Sequence, residues 1–133
     1  MAALAVAAVL AWIVERRYAA PSSPPKIRSL AVLPFRNLSG NASQEYLADG
    51  ITEALIGRLA NIRDLRVISH TSVMRFRDTQ FSVPEIAQTL HVDALVEGSV
   101  ICDGNNIRVT AQLIRGAADQ HFWSETYASS AMC

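Results

Sequence analysis

The sequence predicts an α/β (α+β) domain built on a mixed sheet of about five strands, with its helices mainly on one face. Three observations carry that expectation. Short apolar runs of strand character alternate with segments whose apolar residues recur at intervals of three and four. Toward the C-terminus, two runs flank a DGNN turn, and the second alternates apolar and polar side chains, which is the mark of antiparallel pairing. The 133 residues, half of them hydrophobic, suffice for one core and are too few for two ordinary domains.

The chain opens with MAALAVAAVLAWIV, fourteen residues without a charged side chain, closed by Glu15, Arg16 and Arg17. This predicts an apolar N-terminal helix, and residues 1–18 read as a membrane-anchor or signal-like segment. A free-standing span needs about 20 apolar residues, so the run is short for one. Three readings compete, in this order: the tail of a span whose upstream part lies outside this chain, an uncleaved or poor signal segment, and a buried helix. Trp12 and Tyr18 suit the headgroup region, whereas the basic pair alone would place the C-terminal side of the run in the cytoplasm. Residues 19–26, AAPSSPPK, form a Pro/Ser linker. Three prolines within five residues deny it helix and sheet.

The folded domain is expected over residues 27–127, in the order β-α-β-(α)-α-β-β-β. Ser29–Phe35 (SLAVLPF) has the composition of a strand buried on both faces, and Pro34, lacking a donor, belongs at its end. Leu47, Ile51, Ala54, Leu55, Leu59 and Ile62 form one stripe of a helix over Gln44–Ile62, with Ser43 as its N-cap. Leu65–Ser69 is a second strand, followed by a short irregular or helical piece around Ser72–Phe76. Ser82 and Glu85 make a capping box for a further helix, with Pro84 in its first turn. DALVEGSVIC and IRVTAQLI then flank the DGNN turn as a hairpin, and His121–Tyr127 can add a third antiparallel strand. Residues 128–133 carry no assignment.

Composition excludes several function classes. Twelve basic and twelve acidic residues cancel, so no overall field draws nucleic acid or an anionic membrane. The RFR run at Arg75–Arg77 reads as a solvated turn. Cys102 and Cys133 make no CxxC pair, and Cys102 reads as a small buried hydrophobe. The strand-loop-helix layout around FRNLSGNASQ invites comparison with a phosphate loop. It holds a single glycine, Gly40, and no lysine follows Lys26, so the phosphate-binding chemistry is missing. A weak anion or ligand loop at Asn37, Ser39, Gly40, Asn41 and Ser43 is the residual candidate, because helix N-termini attract anions. His70, His91 and His121 lie far apart with no metal-ligand spacing. Asp49 and Glu53 share a helix face but suit its first half electrostatically. In EGSV (Glu97–Val100), Gly98 marks a bulge or a close backbone approach, and Glu97 is expected at a sheet edge or paired with an arginine. No catalytic, cofactor-binding or metal-binding residue is assigned.

Taken together, AVLPFRNLSGNASQEYLADGITEALIGRLA, LRVISHTSVMRFRDT, SVPEIAQTLHVDALVEGSV and IRVTAQLIRGAADQHFWSETY resemble the TolB N-terminal-like domain, related to FlgO and CsgG-type extracytoplasmic domains. In that family the domain usually follows a single membrane span and precedes tetratricopeptide repeats. A winged helix, a Ser/Thr kinase or a class III adenylate cyclase often lies before the span. Against that pattern this chain reads as truncated at both ends. The resemblance implies a non-enzymatic, membrane-tethered interaction or sensing domain of a signalling or envelope assembly. It implies a single-pass anchor in the bacterial inner membrane, the domain in the periplasm, other proteins as partners, no nucleic acid contact and no cofactor. The alternative is a regulatory small-ligand or nucleotide-binding module of a cyclase, kinase or transcription-regulator-type protein, or a nonfunctional fragment of one.

Overall fold

The computed structural model describes residues 5–12 and 26–130. Residues 19–25 of the linker, residues 131–133 of the tail and most of the N-terminal segment lie outside these. Residues 5–12 form a helix whose eight side chains, all apolar, are all exposed. The domain contains six strands: β1 (Ser29–Val32), β2 (Arg36–Asn37), β3 (Arg66–Val67), β4 (Ala94–Asp103), β5 (Asn106–Arg115) and β6 (Gln120–Ser130). Its helices are α1 (Glu45–Leu59), α2 (His70–Met74) and α3 (Val83–Leu90), and a 3-10 turn at Ala42–Gln44 leads into α1.

The fold class is the expected one, a mixed sheet in the order β3-β1-β4-β5-β6. β1 runs parallel to β3 and β4, while β4, β5 and β6 form an antiparallel meander. The sixth strand, β2, pairs parallel with β4 farther along its length. Pro34 explains this split, since it offers no donor at that position and pairing resumes only beyond Phe35.

The helices do not lie mainly on one face. β1 is apolar at successive positions and buried throughout, and successive side chains point to opposite faces, so both faces need cover. Leu30 and Val32 pack with Ala94, Val96 and Ala48 under α1. Ala31, Leu33 and Leu95 pack on the other side with Val73, Ile86, Ala87 and Leu90 from α2 and α3.

Local chemistry moved several boundaries. α1 is shorter than expected, and Asn41 rather than Ser43 caps the turn that leads into it, its side chain accepting from the Ser43 amide. The buried positions of α1 are Ala48 and Thr52, whereas Ala54 and Ile62 are exposed. Small side chains mark where the helix lies closest to the sheet. The strand expected over Leu65–Ser69 pairs only at Arg66–Val67, because Ser69 turns to cap α2. The Ser82–Glu85 capping box is formed in both directions, with Pro84 in the first turn of α3. In the hairpin Asp103 pairs with Asn106, and Gly104 takes the left-handed conformation the tight turn requires. β6 runs past the expected end at Tyr127 to Ser130, with a register shift opposite Leu113 and Ile114.

Candidate functional site

The helices cover much of β4 and the inward side of β5, where Val100, Ala111 and Ile114 are buried, and leave β6 exposed. Strand alternation sorts its side chains. Val96, Gly98 and Val100 of β4 face α1, which puts Glu97 and Ser99 on the opposite face. The ladder brings Gln112 beside Glu97 and Thr110 beside Ser99, and β2 brings Arg36 to the other side of Ser99. This polar face meets the segment between α2 and α3, where Phe76 and Phe81 stand edge to face at 6.3 Å. Between them lies a cleft of about 260 Å3, floored by Glu97, Gly98, Ser99, Thr110 and Gln112 and walled by Leu33, Phe76, Phe81 and Ile86. Glu97 is half-buried there on an interior strand, neither at a sheet edge nor paired with an arginine. Gly98 does mark a close approach, since a methyl group there would overlap the Phe35 ring and the Thr110 carbonyl.

The five loop residues come together, but largely to bond one another. The Ser39 amide donates to Asn37 Oδ1 at 3.0 Å, and Asn37 Nδ2 donates to the Asn41 carbonyl at 2.8 Å. Asn41 Oδ1 accepts from both the amide (3.0 Å) and the hydroxyl (2.7 Å) of Ser43. Ser39 Oγ accepts from the Cys102 amide at 2.8 Å, tying the loop to β4, and Gly40 supplies the left-handed residue of the turn. The amides of Ser39 and Ser43, which an anion would need, are thus already engaged.

The remaining polar residues mostly fasten elements together. Arg77 is no solvated turn residue. It bridges from the segment after α2 to Glu45 at 3.0 Å and to Asp49 in a second, shorter contact, so Asp49 is paired with Glu45 around Arg77 rather than with Glu53. The Asp49 hydrogen bond in particular raises the guanidinium pKa. Arg75 lies over the Phe76 ring, 4.8 Å from its centroid. Asp93 accepts from the amides of Arg28 (2.8 Å) and Ser29 (3.1 Å) and donates its own amide to Ser29 Oγ (2.9 Å). The Arg28 amide foremost holds the Asp93 carboxyl below the usual range. The three histidines fall in separate places: His70 opens α2, His91 ends α3 in the left-handed conformation and His121 lies on β6. Among the described residues, no group of three or more His, Cys, Asp or Glu side chains could hold a metal ion. Cys102 is half-buried rather than the buried hydrophobe expected from its apolar run.

Sequence reasoning missed Thr52. Thr52 is wholly buried, and its hydroxyl accepts from the Phe35 amide at 2.9 Å while donating to the Ala48 carbonyl at 2.9 Å. A threonine four residues after Ala48 on the inward side of α1 was the available signal. β6 is exposed at all eleven positions and, among the described residues, pairs only with β5. Pairing with Val109, Ala111 and Leu113 places Tyr127, Glu125 and Trp123 on the α1 side of the sheet, beyond the helix. Tyr127 donates to Glu125 at 3.1 Å, which raises the phenol above its usual range.

The family model of the HilA/YgeH-like transcriptional regulator, second domain, matches residues 26–131. The chain belongs to this family. The HilA/YgeH-like domain is also 39% identical over 107 residues to "Putative adenylate cyclase 3" of Rhizobium meliloti (strain 1021). That match covers 80% of this chain and 18% of the relative, so the chain spans less than a fifth of the curated protein it matches. Among solved structures, the LpoB C-terminal domain from Escherichia coli superimposes with a TM-score of 0.60 at 20% identity, covering 89% of this chain and 93% of that one. TolB from Acinetobacter baumannii does so with a TM-score of 0.50 at 18% identity, covering 82% of this chain and 25% of that one. At such identities the likeness is one of fold alone. The TolB resemblance read from the motifs therefore holds for the architecture, while the sequence family is the HilA/YgeH-like one.

Proposed function

We propose that this domain is a non-catalytic regulatory module of a signalling protein of the transcriptional-regulator or adenylate-cyclase type, and that it acts by docking a partner protein along β6. The exposed edge carries the reading. Along this eleven-residue strand alternate residues point their backbone N–H and C=O groups away from β5, and Trp123 and Tyr127 offer aromatic anchors beside them. Aromatic residues of this kind dominate protein interfaces, and the balanced charge favours a protein partner over nucleic acid. The self-bonded loop at Asn37–Ser43 gives nucleotide regulation no comparable support.

The family description and the relative's name support the signalling context, and the place of the domain relative to a membrane belongs to the same proposal. Among the described residues, no helix is long and apolar enough to cross a membrane. The exposed apolar helix at residues 5–12 nevertheless fits the end of an anchor in the bacterial inner membrane.

Photocrosslinking in the intact signalling protein tests the docking. A photoreactive residue at Trp123 or Tyr127 should give one discrete protein adduct, and the same residue at exposed Gly57 of α1 should not. Equal labelling at all three positions would defeat the reading. For the tether, a reporter fused after Tyr127 should behave as exported, and a purely cytosolic signal would remove that part.

A further inference from the structure

The cleft beside Glu97 lies on the sheet face opposite Trp123 and Tyr127, so its chemistry is separate from β6 docking. Arg36, Glu97, Ser99 and Gln112 line it, and no hydrogen bond or ion pair joins any of these side chains to another described group. A half-buried carboxylate without a counterion is costly unless something charged or hydrogen-bonding comes to it. Arg36 does not play that role. It is exposed at the rim, pairs in register with Ser99 and makes no ion pair with Glu97. Asp78, also on the lining, offsets Arg36 and leaves the cleft with one net negative charge, that of Glu97 at the floor.

The other wall is apolar. Phe76 is buried, whereas Phe81 is 63% exposed, lies at a steep angle to the Phe76 ring and lines the cleft. An aromatic face attracts cations and packs equally well against methylene groups. The volume of about 260 Å3 lies just below the range of pockets for drug-sized ligands, and suits a single long side chain or a small amine.

We propose that this cleft binds a guanidinium or primary ammonium group carried on a short apolar stem. The stem lies against Phe81 and Ile86. The cation meets the Glu97 carboxylate, with the side-chain oxygens of Ser99 and Gln112 accepting its remaining protons. Such a group is borne both by a free small amine and by an Arg or Lys side chain of a partner, and the test separates the two sources.

The test is amide chemical-shift titration of the whole chain with agmatine, with butyrate and butylurea as the anionic and neutral comparisons. Agmatine should move the amides of Gly98, Ser99, Thr110 and Gln112 saturably, and the two comparisons should not. Glu97→Gln should weaken agmatine by about tenfold or more while the melting temperature holds, and Glu53→Gln on exposed α1 should leave it unchanged. Phe81→Ala, at an exposed position, should weaken it as well while the melting temperature falls only as far as the lost ring contact with Phe76 requires. A short peptide with one arginine binding more tightly than agmatine identifies a partner side chain as the source; the reverse identifies a free amine. No saturable shift at about 10 mM agmatine would overturn the proposal, as would unchanged affinity in Glu97→Gln or tighter binding of butyrate. Photocrosslinking at β6 is unaffected by any of these outcomes, so the two readings fail independently.

Discussion

At single positions, stability rests on how closely the backbone packs. Thr52 is the acceptor for a buried amide that has no other partner, so Thr52→Val should cost about 1–3 kcal/mol in chemical denaturation. Thr52→Ser keeps the oxygen and should cost under about half as much. Gly98→Ala should lose about 1–3 kcal/mol through overlap with the Phe35 ring and the Thr110 carbonyl. Because one of those neighbours is a side chain, Phe35→Leu should recover part of the loss, and the double variant should be less destabilised than the sum of the singles. Neither role could be fully read in advance. EGSV announced a close approach at Gly98, but which group approaches depends on where Phe35 lands after Pro34. Thr52 is four residues from Ala48 on an inward face, and only packing reveals the amide it serves.

Whole elements are held in register by hydrogen bonds between their ends. Asp93 joins the start of β4 to the start of β1 through the amides of Arg28 and Ser29. Its folded carboxyl pKa lies below the unfolded value of about 3.9, so the latch contributes fully above that pH and is lost as pH falls through the lowered value. Asp93→Asn should therefore be less stable than the parent at pH 7, with the difference shrinking as pH drops below about 4. Acid titration of denaturation midpoints for both chains checks it. At α3, Ser82→Ala should cost about 1 kcal/mol by removing the acceptor for the Glu85 amide. That capping box was fully legible, because its four residues are contiguous and satisfy one another. The N-cap at α1 was not, since Ser43 and Asn41 are both competent and the choice depends on how Asn37 and Asn41 fold the loop back on itself.

Across the molecule, burial is graded from β1 outward. β1 is buried throughout, whereas β6 is exposed at all eleven positions. Hydrogen exchange should accordingly protect β1 and the first half of β4 most, and the amides on the free side of β6 least. Fast exchange in β1 would contradict its two-sided packing. Apart from β2, the order of strands and helices and the hairpin were legible from periodicity and turn residues, because those signals are local. The missing lysine and glycines of a phosphate loop are likewise facts of the sequence that need no fold to be noticed. Three features depended on the assembled chain: the split of the helices between both faces, the Arg77 bridge to Glu45 and Asp49, and the cleft at Glu97. Each joins segments far apart in sequence, and nothing in either segment states its partner. Glu97 shows the division most plainly. Alternation fixed which face of its strand it occupies, but only the reach of α2 and α3 across the sheet left that face open beside two phenylalanines.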